Sequence, residues 1–341
     1  MPYELDHRLV VGVAPSALFD LRESDAAFKT SIDAYRSFQD EHIDKPMPKG
    51  AAFPFIERLL ALNDLSPGDP LVEVILLAKD DAVTGLRHLK SLAFYGLKIE
   101  RAVFTEGSAP SGYIKELNIC LYLSGNRSDV ARAVSNGLPA GLVLGRTARS
   151  EEDSDEAPGA LRVAFDFDGV LADLEAQKVY DREKLPGFLA HEVRHASEPH
   201  QPGPMAQLVR ALGKIQRKEI ERHNSDPGYT PRVRIALVTA RQAPAHERAI
   251  RTLRDWDVQF NDAFFLGGIE KAHVLRVLRP HIVFDDQLEH LESVAEEIAA
   301  VLVPYVGDDG GSNQEAPHAS PAIRSRARSI VTRLTRRLRR G

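Results

Sequence analysis

Two stretches of this chain repeat one pattern, and the repetition restricts the fold more than any other feature. In the second half "RIALVTARQAPAHERAIRTLRDWDVQFNDAFFLGG" leads to "HIVFDDQLEHL"; in the first, "VEVILLAKDDAVTGLRHLKSLAFYGLKIERAVFTEG" leads to "ICLYLSGNRSDV". Each reads as strand, helix, strand, helix, strand, because short apolar runs alternate with stretches of helical period. Laid side by side, Thr239 faces Leu77, Asp285 faces Leu123 and Asp286 faces Ser124, each at a separation of 162. Upstream, "VVGVAPSALFDL" aligns with "VAFDFDGVLADL": Asp20 matches Asp173, while Val13 and Pro15 stand where the second copy has Asp166 and Asp168.

Apolar strands alternating with amphipathic helices imply parallel sheets covered on both faces. The expected fold class is α/β, with two Rossmann-like parallel-sheet lobes. Residues 1–146 read as a degenerate lobe, kept for packing, oligomerisation or substrate contacts. "TARSEEDSDEAPGA" (147–160) reads as an acidic linker. Residues 161–308 read as the chemical domain, with an insertion at about 175–230 forming a small helical cap, and 309–341 as a flexible basic tail.

Length and composition agree with this division. A chain of 341 residues is long enough for two cores, and 43% hydrophobic with 27% charged residues is a globular balance. The opening residues carry acids and no basic stretch before a long apolar one, so no secretory leader is expected. No run approaches the ~18 apolar residues of a membrane span. The single cysteine, Cys120, lies in a run that reads as a buried strand and has no disulfide partner; a reducing, cytoplasmic location fits best. Net charge is −5, yet "RSRARSIVTRLTRRLRRG" holds eight arginines and no acid, leaving the remainder more acidic still. That tail reads as a solvated terminus; contact with nucleic acid, an anionic membrane or an acidic partner is the rival expectation.

The chemistry concentrates at the ends of apolar runs in the second half. Asp166 and Asp168 close "RVAF", one residue apart, so on an extended chain both carboxylates share a face and repel unless a cation relieves them. "RIALV" ends at Thr239 and "PHIVF" at Asp285 and Asp286, while Lys271 opens a helix after a glycine pair. In open α/β sheets ligands bind beyond the carboxyl ends of strands, which would gather these groups. Carboxylates from two strands make an oxygen cage suited to Mg²⁺, held by Asp166, Asp168, Asp285 and Asp286. With a phosphate present each group has a task. Asp166 attacks phosphorus, Asp168 serves as acid and base, and Thr239 and Lys271 bind phosphoryl oxygens.

These segments resemble the motifs of the haloacid dehalogenase-like phosphohydrolase superfamily, and Asp168 is the residue its phosphatases carry there. "SALFDL", "AAFPFIERLLALN", "TGLRHLKSL", "GPMAQLVRALGKIQ", "LVTARQAPAHERAIRTLRDW", "FFLGGIEKAHVL" and "PHIVFDDQ" together resemble the cytosolic 5′-nucleotidases of type I. The similarity runs from about Leu9 to Tyr305 and departs at Ala78, Lys79 and Asp80, where the family reads differently. It implies Mg²⁺-dependent hydrolysis of nucleoside 5′-monophosphates through an aspartyl-phosphate, on a haloacid dehalogenase-like core. It also favours a homo-oligomer. A phosphatase of another small phosphomonoester, and a non-catalytic nucleotide sensor, are the alternatives.

Other residues weigh less. Arg241, two past Thr239, is placed to reach phosphate or pair with an acid. Phe188 and His191, in the insertion, are expected either to contact a nucleobase or simply to pack the cap. His191 and His195 have a spacing that can hold a metal, but no third ligand of suitable spacing is visible.

Overall fold

Ten short apolar segments pair into one sheet. The computed structural model describes residues 4–145 and 159–304, so nearly all of the expected linker, and the whole basic tail, lie outside the described residues. The strands are β1 (Leu9–Val13), β2 (Val72–Ala78), β3 (Arg101–Phe104), β4 (Leu121–Ser124) and β5 (Ala140–Leu144) in the first half. In the second they are β6 (Leu161–Phe165), β7 (Val233–Thr239), β8 (Asp262–Phe265), β9 (Ile282–Asp285) and β10 (Ala300–Leu302). The order across the sheet is β3-β2-β1-β4-β5-β10-β9-β6-β7-β8, a palindrome of two identical half-sheets.

Pairing within each half is parallel, and its register repeats. Leu77 pairs with Val103 as Thr239 pairs with Phe265, and Val11 pairs with Leu121 as Ala164 pairs with Val283. The halves meet in one antiparallel seam, where Ala300, Val301 and Leu302 face Leu144, Val143 and Leu142. Two Rossmann-like lobes are thus fused into a single continuous sheet. Among the described residues no helix is long and apolar enough to cross a membrane.

β1, β2 and β4 are buried at every position, as strands covered on both faces must be. Alternation still sorts their side chains. Val10, Ile75, Leu77 and Tyr122 point into a core built mainly by the first half, and Ala164, Ala236, Val238 and Val283 into one built mainly by the second, with Leu302 and Leu144 reaching across the seam. Leu9, Val11 and Val13 point the other way, into a core shared with Val163, Phe165, Leu212 and Phe284. Two crossover helices fill that shared core. Phe53–Ala61, which connects β1 to β2, also touches β6; Ala206–Ser225, which leads into β7, also touches β1. Each half therefore packs a helix on the other's first strand.

This placement narrows the cap. Of the insertion expected at about 175–230, the helix Ala206–Ser225 is a sheet-covering helix, because Leu208, Val209, Leu212 and Ile215 form a buried stripe in the shared core. The cap is the segment before it, the helix Glu175–Arg194, bent at Lys184 (φ 56°) just ahead of Pro186. Its neck is closed by Asp173 N–H donating to Gln201 O at 3.0 Å and by a bridge between Ala172 and Pro202.

Candidate active site

Four pieces of backbone converge at the carboxyl ends of β6, β7 and β9. Asp166 follows β6 directly, its N–H donating to Phe284 O on β9 at 2.9 Å, so the two strand ends sit side by side. Asp285 ends β9, and Lys271 opens the helix Lys271–Leu278. All three are buried. Lys271 Nζ lies 2.8 Å from Asp166 Oδ2 and 2.7 Å from Asp285 Oδ2, bridging both carboxylates. A buried ammonium needs such partners, and two anions raise its pKa further above the ordinary lysine value despite the burial.

The carboxylates divide by environment. Burial pushes Asp166 up to about 6, against the pull of Lys271 and helped by the Asp285 and Asp168 charges. Burial would raise Asp285 too, but Lys271 and His290, whose Nδ1 is 3.2 Å away, hold it near 2. Asp286 is pushed well up by burial and by the charges of Asp166 and Asp285. Carboxyl oxygens of Asp166, Asp285 and Asp286 lie within 4.8 Å of one another. Three hard oxygen donors, two of them straining against ionisation, fit a hard divalent cation.

Gly169 makes room for this cluster. Its φ is +73°, and a Cβ there would stand 2.6 Å from Asp286 Oδ2, so a side chain is excluded on two counts.

Asp168 stands beside this cluster, its carboxylate held by Arg241, Nε to Oδ2 at 2.8 Å and Nη2 to Oδ1 at 2.7 Å. A forked guanidinium takes up both oxygens and fixes the side chain's orientation. Arg241 in turn is no open phosphate ligand. It is buried, and its remaining N–H groups face Glu192 Oε2, Ala245 O at 3.0 Å and His200 Nε2 at 3.2 Å. The ring centres of Phe167 and Phe188 lie 4.8 and 5.4 Å from its guanidinium carbon.

Thr239 is buried at the end of β7, with Oγ1 accepting the Arg241 N–H at 3.3 Å. Phe188 packs against Ala176, Ala245 and Tyr180. It is buried beneath Arg241. His191 lies against Glu192 Oε1 at 3.2 Å and Glu175 Oε1 at 3.6 Å, and His195 stacks beside it. Neither histidine belongs to a metal-ligand group among the described residues.

The residue that organises this network, Glu192, was not singled out from sequence. Its side chain is fully buried, and its oxygens receive Arg241, Arg248 Nη1 at 2.9 Å and His200 Nε2 at 3.1 Å. Burial opposes its charge, but His200 and Arg241 outweigh burial and keep it ionised, well below the usual glutamate range. Arg248 continues to Glu175 Oε2 at 3.0 Å, tying the start of the cap helix to the helix His246–Asp255. The only sequence signal was a glutamate flanked by His191 and His195 on a helix.

A cavity of about 1060 Å³ opens elsewhere, by the amino ends of β1 and β5, lined by Leu9, Ala140, Arg210 and Lys214 among others. It shares no residue with the carboxylates. The site is assigned to the carboxyl ends of the strands, where the charged groups converge.

The 5′-nucleotidase family matches residues 1–309. Cytosolic 5′-nucleotidase 1B of Homo sapiens is 28% identical over 298 residues, covering 85% of this chain and 48% of that protein. The chain thus spans about half the length of the curated relative. Among solved structures, a chain of the Pnkp1/Rnl/Hen1 complex is 13% identical at a TM-score of 0.29, covering 89% of this chain and 99% of that one. Histidinol dehydrogenase from Elizabethkingia anophelis is 11% identical at a TM-score of 0.21, covering 82% and 64% respectively. Likenesses that low carry no argument here.

Proposed function

Because this chain belongs to the 5′-nucleotidase family, we propose that it hydrolyses nucleoside 5′-monophosphates to nucleoside and phosphate in its second half. The observation that carries this reading is Lys271 bridging Asp166 and Asp285, beside an Asp168 held in a fixed orientation. Mg²⁺ held by Asp166, Asp285 and Asp286 would offset the phosphate charge that repels an attacking carboxylate.

The chain's own groups do the rest. Asp166 Oδ1 accepts the Phe167 N–H at 2.7 Å, and Oδ2 accepts from Lys271, so the nucleophile is oriented by two donors. Attack of a carboxylate oxygen on phosphorus forms an aspartyl-phosphate and breaks the P–O bond to the nucleoside. Asp168, aimed by Arg241 and protonated when substrate is bound, gives that proton to the leaving alkoxide, and the carboxylate so formed takes one from the water that then cleaves the aspartyl-phosphate. Thr239 Oγ1 and Lys271 supply donors to the non-bridging oxygens. The cap helix, fixed through Glu192, screens the reacting atoms from solvent. A cytosolic location is carried over from the relative's name and belongs to the same proposal.

The test is phosphate release from a panel of nucleoside monophosphates and sugar phosphates, with and without Mg²⁺, for wild type and Asp166→Asn. Magnesium-dependent release from nucleoside monophosphates, abolished in the variant, is the expected result. Release from other esters alone would transfer the mechanism to another substrate. Nucleotide binding without turnover would point to a sensor.

A further inference from the structure

Outside the reacting centre, a second group of ligating side chains lies at the neck of the cap. One ligand atom each from Asp173, Glu175 and His200 fall within 4.8 Å of one another. Acidic neighbours alone would prove little, but His200 adds an independent observation. Its side chain is completely buried, and its Nδ1 has no hydrogen-bond partner. An unmatched buried nitrogen is costly and calls for an explanation.

The other ring nitrogen supplies one. Nε2 lies 3.1 Å from Glu192 Oε2, with Arg241 Nη2 3.2 Å away on the same nitrogen. Nε2 is thus engaged by Glu192 and Arg241, and Nδ1 is the ring nitrogen left for a further partner. A carboxylate fixing one imidazole nitrogen so that the other faces a cation is the usual outer support of a metal-bound histidine.

Charge points the same way. Among the described residues Arg241 and Arg248 take up Asp168, Glu175 and Glu192, while no hydrogen bond joins Asp173 to either guanidinium, which leaves its carboxylate for an added cation. The carboxylates keep lone pairs for it: Asp173 Oδ1 accepts only the Glu175 N–H, at 3.3 Å, and Glu175 accepts from Arg248 with His191 3.6 Å away.

We infer that Asp173, Glu175 and His200 form a second divalent-cation site, whose imidazole nitrogen selects a first-row transition ion such as Mn²⁺ over Mg²⁺. Its ligands come from both limbs of the neck, Asp173 and Glu175 on the way into the cap and His200 on the way out. The ion closes the loop between them and steadies the helix that presents Glu192 to Arg241.

The experiment is a Mn²⁺ titration of the metal-stripped full chain, read by the paramagnetic resonance signal of free Mn²⁺, which needs no turnover. Wild type is expected to bind two equivalents, Asp285→Asn one, Glu175→Gln one, and the double variant none. Glu175 is partly exposed (42%), so its amide variant keeps the fold, and circular dichroism checks this. In the Asp285→Asn background, Asp173→Asn should weaken Mn²⁺ at least about tenfold. Mn²⁺ should raise the melting temperature of Asp285→Asn but not of the double variant. The inference is overturned if Asp285→Asn binds no Mn²⁺, or if its remaining equivalent is unaffected by Glu175→Gln and Asp173→Asn. Loss of the site at Asp166, Asp285 and Asp286 alone would instead show as one equivalent in wild type, still removed by Glu175→Gln.

Discussion

Arg241 grips Asp168 through two parallel hydrogen bonds of 2.8 and 2.7 Å and reaches Glu192 of the cap with its third nitrogen. One guanidinium thereby fixes both Asp168, the proposed acid–base group, and the helix that carries Glu192. Arg241→Ala leaves two carboxylates short of their main partner, one of them fully buried. Its expected effects are a fall in kcat of about 10²–10⁴-fold and a stability loss of about 3–5 kcal/mol. Arg241→Lys keeps the charge without the fork and should recover only part of either. Phosphate release and urea unfolding of the same preparations check both, and full activity in the alanine variant would remove Arg241 from the site.

Gly169 has a positive φ and stands against Asp286. Gly169→Ala should cost about 1–3 kcal/mol in stability yet remove most of the turnover, since the displaced group, Asp286, is a proposed cation ligand. The check is kcat against melting temperature. A variant that loses stability but keeps its turnover would separate this turn from the chemistry.

The first half carries its own largely buried carboxylate network, and it sets a pH dependence. Asp80 Oδ2 lies 3.0 Å from His88 Nε2, and Oδ1 accepts the Tyr35 hydroxyl. Burial would raise Asp80, but His88 and Tyr35 together hold it below the ordinary aspartate value. A depressed folded pKa stabilises above the unfolded value of about 4 and loses that contribution as pH falls through the folded one. Asp80→Asn should therefore cost about 1–3 kcal/mol at pH 7, with the gap to wild type closing below about pH 4. Urea midpoints at several pH values decide it, and a gap that stays constant with pH would refute the assignment.

Cys120 tests the packing of the shared core. Its thiol is buried, lies 3.3 Å from Val10 O, and is pushed up to about 12 by that burial. A thiol-specific reagent at pH 8 should find no reactive sulfur in the native protein and one equivalent in denaturant. Rapid native labelling would mean that the β1–β4 region opens readily.

Much of this was legible in the sequence because it is local. Apolar runs ending in acids placed Asp166 and Asp285 at strand ends, and the repeat separation reproduced the strand register. Partner choice was not legible. Asp168 read as a cation ligand because Asp166 is its neighbour in sequence, whereas Arg241, 73 residues away, takes both its oxygens. Glu192 meets Arg241 and Arg248 across 49 and 56 residues. A helix glutamate has no pattern that marks it as buried until those cations are in place. The helix Ala206–Ser225 read as cap because its length sits between motifs; its apolar stripe fitted a sheet face equally well.

The exchange of crossover helices between the halves has a consequence for how the chain can be shortened. With Phe53–Ala61 touching β6 and Ala206–Ser225 touching β1, cutting between the halves strips each of part of its cover. It also leaves β10 as a bare sheet margin, ready to pair with another molecule. A first half with Val13 and Pro15 where the second has acids thus serves as scaffold for the other's sheet. With the halves interlocked, neither can be removed without uncovering its neighbour.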